Sequence, residues 1–394
     1  MDAATDVDVR FASAVSTAED TNQAARDVLS GLGSWDTPPD LALVFVSPHH
    51  VKGADALARV LGERLGAANL LGCTGETIIG NGQEFEESPA VSLWAAWLPK
   101  TTIKAFALEY ERTPEGGAFR GWPDELTGTW PEDALLLLLG DPFSFPADVF
   151  LSRINEDRPR VRVAGGMASA GHAPGQNRLL LGGETFAEGA VAVYLQGGVS
   201  MRTIVSQGCR PIGKPFVVTK AERNVIAELG GKPAFAQLRE IFQSLPTRDK
   251  QLVQTSLHVG RVVSEYRDHF EQGDFLIRNV IGLDPKQGAI AIGDYIRPGQ
   301  TVQFHVRDAD AADGELKQLA AAVAASGGAP AGGLLFACNG RGTRMFPEPH
   351  HDARVLAEKF GPIPVSGFFA MGELGAVGEQ NFVHGHTASI VLFE

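Results

Sequence analysis

Cysteine is scarce in this 394-residue chain: Cys73, Cys209 and Cys338 stand far apart, with no CxxC pair. An odd, scattered set excludes a disulfide scaffold and suits a reducing compartment. No cysteine stands at ligand spacing from His49-His50 or His350-His351, so a structural zinc site is not expected. Positive charge is also short, with 34 Lys and Arg against 47 Asp and Glu and a net charge of −13. Phosphate capture needs clustered cations, so nucleic acid is not an expected partner. Long apolar runs are missing too. The longest, Ala90–Leu98 and Ala134–Leu139, are strand-sized and far below a bilayer span, and the acidic start lacks the features of a secretory signal. A cytoplasmic protein without a membrane segment is expected. Neither GxGxxG nor GxxxxGK[ST] occurs, which leaves nucleotide cradling without support.

What is present is a layout used three times: an apolar strand, a short amphipathic helix, a second strand ending in a glycine-rich loop, and a closing apolar strand. The first copy reads Asp40–Ser47, Gly53–Gly66, Asn69–Glu76 and Ala90–Leu98. The second reads Ala134–Gly140, Pro146–Asn155, Val161–Ser169 and Gly189–Leu195. The third reads Gly333–Arg341, His351–Phe360, Pro364–Glu373 and Thr387–Phe393. Leu41–Val46 and Leu135–Leu139 are nearly continuous apolar runs, which predicts burial on both faces. Leu57, Leu61 and Leu65 recur every four residues and give their helix one core-facing stripe. Residues before Phe11 read as a frayed tail. Between the second and third copies lie a predicted helix at Pro233–Phe242, strands at Gly273–Val280, Ala289–Asp294 and Thr301–Val306, and a helix at Gly314–Ala325. The Gly- and Pro-rich stretch Ile204–Pro215 predicts a junction, dividing the chain into domains 1–207 and 208–394. The expected fold class is mixed α/β, with two similar-sized domains of repeated strand–helix–strand–strand units layered helix–sheet–sheet–helix.

Several motifs carry a family resemblance. Cys338-Asn339-Gly340-Arg341-Gly342, Pro364-Val365-Ser366-Gly367-Phe368 with Gly372-Glu373, and the following His384, His386 and Thr387 resemble the C-terminal domain of the FIST family. Leu71-Gly72-Cys73-Thr74-Gly75-Glu76 and Ala164-Gly165-Gly166-Met167 resemble its N-terminal domain. The corner at Gly72–Glu76 is more compact than is usual in the family, so ligand preference is expected to differ. The resemblance implies a small-ligand sensor in signal transduction, with a downstream signalling protein as partner; some bacterial members are haem-binding sensors of nitric oxide.

The expected ligand is a small metabolite, such as an amino acid, held between the two halves. Cys73, Thr74, Glu76, Gly166, Met167, Cys338, Asn339, Arg341, Phe368 and Glu373 are the candidate contacts. Arg341 can grip a carboxylate in bidentate fashion, and it is expected to meet Glu373. The glycines Gly72, Gly75, Gly165, Gly166, Gly367 and Gly372 would allow positive φ or close backbone approach to the ligand. No catalytic residue, metal or cofactor is expected. Two alternatives stand: a thiol-dependent acyl-transfer or hydrolytic enzyme using Cys338 or Cys73, and a haem sensor using a histidine near the end of the third copy. The plain readings also stand: buried cysteines, turn carboxylates and core aromatics.

Overall fold

The computed structural model describes residues 9–113, 116–266, 269–270 and 273–394. The first eight residues of the expected frayed tail lie outside that range, and Arg10–Ser16 is a strand. The mixed α/β class is as expected. The three copies are also where the sequence put them, with central strands Leu41–Val46, Leu135–Gly140 and Gly332–Cys338. Each is followed by a helix (Ala54–Leu65, Ala147–Asp157, His351–Phe360) and a parallel second strand (Asn69–Thr74, Arg162–Met167, Val365–Ala370). The closing strands Val91–Trp97, Ala190–Gln196 and Thr387–Phe393 pair antiparallel to the central ones.

Strand alternation explains why the central runs are apolar throughout. Leu135, Leu137 and Leu139 point into one core, while Leu136 and Leu138 point under the helix of their own copy. Leu41, Leu43 and Phe45 join that shared core, and so do Leu334 and Phe336. Ala42, Val44 and Val46, like Leu335 and Ala337, face helices instead. Between any two copies the order is helix–sheet–sheet–helix, and the third sheet closes the core. Each buried Leu or Phe contributes roughly 1.5–3 kcal/mol over an exposed one, so a core lined from three sides dominates the stability.

The sequence reading missed the hairpins. Each copy inserts one between its second and closing strands: Ile78–Gly80 with Gln83–Phe85, Leu179–Leu181 with Glu184–Phe186, and Glu373–Val377 with Gln380–His384. None extends its own sheet. The first copy's hairpin pairs with strand Val365–Ala370 of the third, the second's with Asn69–Thr74 of the first, and the third's with Arg162–Met167 of the second. The exchange runs in a closed cycle.

The compact units do not follow the division at residue 207. One unit runs up to Val205 and includes Leu316–Val383 and Thr387–Glu394, so all three copies belong to it. The other comprises Ser206–Glu315 and His384–His386. Within it, strands Cys209–Glu222, Thr301–Arg307, Leu257–Val262, Phe275–Asp284, Ala289–Ile292 and Val225–Leu229 pair in that order. The last pairs back with the first, closing a ring of six. Helix Ala234–Ser244 packs Leu238 and Ile241 against Phe216, Val302 and Phe304. Part of the expected junction, Cys209–Pro215, is strand rather than loop.

Candidate functional site

The glycine-rich corners of the three copies meet one another. Ser169 N–H donates to Thr74 O (3.1 Å), Glu76 N–H to Ser169 Oγ (2.8 Å), Met371 N–H to Met167 O (3.0 Å) and Phe369 N–H to Thr77 O (2.9 Å). The glycines have a different use from the one expected. Cβ atoms at Gly72, Gly165 and Gly367 would stand 2.2, 1.9 and 1.7 Å from the carbonyl oxygens of Val44, Leu138 and Leu335. The close approach is therefore to the neighbouring central strand, at the same place in each copy. Of the six corner glycines, only Gly165 and Gly372 have φ in the left-handed range.

Several candidate contacts are packing residues. Phe368 is fully buried, stacked on Phe45 (5.3 Å) and edge-on to Phe336 (5.8 Å). Gly166 lies in register with Glu373, and Met167 packs over Gly140. Thr74 Oγ1 accepts from Arg178 N–H at 2.9 Å. Cys73 is buried in the shared core, where burial pushes its thiol well above the usual range and disfavours the nucleophilic thiolate. Cys338, half-exposed at a strand end, accepts from Gly340 N–H at 3.4 Å.

The second Gly-Glu corner leads to a buried polar cluster. Arg341, just after strand Gly332–Cys338, is wholly buried and grips Asp352 with two bonds, Nε to Oδ2 (2.5 Å) and Nη2 to Oδ1 (2.7 Å). The expected Arg341–Glu373 pair is thus replaced by Arg341–Asp352. Asp352 sits in the first turn of helix His351–Phe360, where the helix dipole favours a carboxylate. His351 Nδ1 lies 2.9 Å from Asp352 Oδ1, and the His351 ring is stacked on Phe346 at 3.5 Å. The Arg341 guanidinium stands 5.3 Å from the centre of the Phe346 ring. Glu84, from the first copy's hairpin, accepts the Asp352 and Ala353 backbone N–H groups on Oε1 (3.0 and 3.1 Å) and so caps that helix. Glu373 Oε2 accepts from Thr387 N–H (3.2 Å) and Oγ1–H (2.8 Å).

These charges are unequal. Burial would discharge Arg341, but Asp352 more than offsets it and keeps the guanidinium charged; Arg341 likewise holds Asp352 below the usual carboxylate range against burial. Glu84 is pushed up to about 7, first by burial and then by the charge of Asp352. Burial lifts Glu373 to about 8, despite the Thr387 bonds and the pull of Arg341. Four buried atoms of the group, Arg341 Nη1, Glu373 Oε1, Glu84 Oε2 and Asn339 Oδ1, have no hydrogen-bond partner. An unpaired buried polar atom costs roughly 1–3 kcal/mol, which a bound polar molecule would recover.

Glu76, the counterpart of Glu373, is half-buried and pairs with Arg344 Nη2 at 2.5 Å. Of this buried cluster, sequence reasoning had named Arg341, Asn339 and Glu373 but neither Glu84 nor Asp352. An acidic residue in the first helical turn was a usable signal for Asp352; nothing local pointed to Glu84. His350 and His386, two of the histidines near the third copy, have partners within the protein. His350 Nδ1 accepts from Glu84 N–H (2.9 Å), and His258 and His386 bring their Nε2 atoms within 3.0 Å of each other.

Comparison with known proteins fits this architecture. The chain matches the FIST N domain over residues 40–232 and the FIST C domain over residues 234–376, and it belongs to the FIST family. FIST domains are generally described as small-ligand-sensing signal transduction domains. Among similar proteins, uncharacterized protein MT0656 of Mycobacterium tuberculosis (strain CDC 1551 / Oshkosh) is 41% identical over 393 residues, spanning 98% of this chain and 100% of its own. Uncharacterized protein Mb0898c of Mycobacterium bovis is 40% identical over 396 residues, spanning 98% and 99%. Among the described residues, no helix is long and apolar enough to cross a membrane.

Proposed function

We propose that this chain is a cytoplasmic ligand sensor that holds a small zwitterionic metabolite of amino-acid type at the Arg341 cluster, and passes its occupancy to a downstream signalling protein. The observation that carries this reading is the group of four buried, unpartnered polar atoms around a charged arginine. Arg341 Nη1 would take the ligand carboxylate, while Glu373 and Glu84, ionising on contact, would take its ammonium. Asn339 and Cys338 would line the approach. Glu84 comes from the first sequence half and the other residues from the second, so the ligand would join the halves inside one compact unit. Binding would tighten the docking of the first copy's hairpin on the third copy, which is the element able to relay the event.

A thermal-shift screen of the full chain against amino acids and related metabolites tests the reading. A ligand at 100 to 1,000 times its Kd should stabilise by roughly 2.7–4.1 kcal/mol, and E373Q should lose the response. A flat response across a broad library overturns it.

A further inference from the structure

In the six-stranded ring, three side chains converge on one point without sharing a sequence motif. His258 and Asn279 are directly opposed on neighbouring strands, so the register fixes them side by side. His386 arrives from the segment that precedes the last strand, its carbonyl tied to Gly208 N–H at 2.9 Å. Its backbone is left-handed (φ 66°), a conformation that is uncommon for a residue with a Cβ and that sets the direction of its ring. The two Nε2 atoms lie 3.0 Å apart, and Asn279 Oδ1 lies 2.8 Å from His386 Nε2.

The geometry points to a divalent transition-metal site formed by His258 Nε2, His386 Nε2 and Asn279 Oδ1. An ion about 2.1 Å from each atom would see the 3.0 and 2.8 Å separations at angles of roughly 80–90°, the spacing of adjacent ligands in five- or six-coordination. His258 is prepared for that role. Its Nδ1 lies 2.8 Å from Ser256 O, and a carbonyl only accepts, so Nδ1 holds the proton and Nε2 presents its lone pair. His386 becomes a ligand by carrying its proton on Nδ1, so binding requires no net proton loss. The remaining coordination positions open to a groove of about 580 Å³, lined by Val253–His258 and Asn279–Leu283, where water or a small anionic molecule would complete the shell. His305, opposed to His258 on its other side, is buried with its Nδ1 3.0 Å from Gln303 O. Because the third ligand is an amide, no group of three His, Cys, Asp or Glu occurs among the described residues.

Titration of the untagged full chain with Co²⁺ and Zn²⁺ at pH 7.5 tests the site. One equivalent of Co²⁺ should bind, with the weak visible absorption of five- or six-coordinate cobalt. H258A and H386G should each weaken binding by about tenfold or more. Glycine at 386 accepts the left-handed backbone, so this loss would not reflect misfolding. N279D should strengthen binding, because a carboxylate replaces a neutral amide. H172A, elsewhere in the chain, should change nothing. No saturable binding, an undiminished affinity in H258A and H386G, or no gain in N279D would overturn the assignment.

Discussion

The first and third copies both close their corners on Gly-Glu, yet the two glutamates have opposite surroundings. Glu76 reaches water and an arginine; Glu373 is fully buried, bonded to Thr387 and pushed up to about 8. The same duplicated sequence therefore yields a surface tether in one place and a buried acid in the other. What separates them is context. Glu373 opens a hairpin strand in register with Gly166, whereas Glu76 stands two residues before its hairpin. Duplication supplies the scaffold, and burial decides the chemistry.

Four experiments sharpen that contrast, in descending order of effect. G367A would put a Cβ 1.7 Å from the Leu335 carbonyl, with only backbone to yield, so we expect a loss of more than about 4 kcal/mol or no soluble protein. G75A would meet the Phe368 side chain at 2.8 Å and should cost less in urea denaturation. Equal losses would mean that the strand contact is not special. D352N leaves buried Arg341 without its carboxylate and should cost roughly 3–5 kcal/mol, whereas R341M/D352L should recover much of it. A double variant as unstable as the single one would refute the isolated-charge explanation.

Third in size is the pH response of Glu373. Its folded value of about 8 exceeds the ordinary 4.5, so the folded state binds the extra proton. Its contribution is fully present below pH 4.5 and is lost as pH rises to about 8, a change on the order of a few kcal/mol. E373Q should flatten that part of the stability–pH curve; an unchanged slope between pH 5 and 8 would contradict the burial. The smallest effect is that of E76Q, which breaks a partly exposed pair with Arg344 and should cost at most about 1 kcal/mol. A loss comparable to that of D352N would erase the distinction between the corners.

Much of this fold was legible because strand and helix periodicity are local. The central strands and the Leu57–Leu61–Leu65 stripe followed from spacing alone. The hairpins carried turn signals too, with Asn81-Gly82 in left-handed geometry, but their three-residue strands in the first two copies are too short to show alternation. Their partners belong to other copies, which no local pattern encodes. Arg341 lies in the buried polar cluster, but its carboxylate partner is Asp352 rather than the expected Glu373. An arginine announces that it needs a carboxylate, but which of Asp352, Glu84 and Glu373 it meets depends on how the copies dock.

The cyclic exchange of hairpins has a consequence for synthesis. Glu84 leaves the ribosome early, but the helix end it caps lies 268 residues downstream. Until that segment emerges, the nascent chain carries a strand edge with nothing to pair to, and only once the third copy has been made can the circle close. Cutting the gene between its two family domains would strand these edges permanently, so neither fragment should behave as a soluble protein on its own.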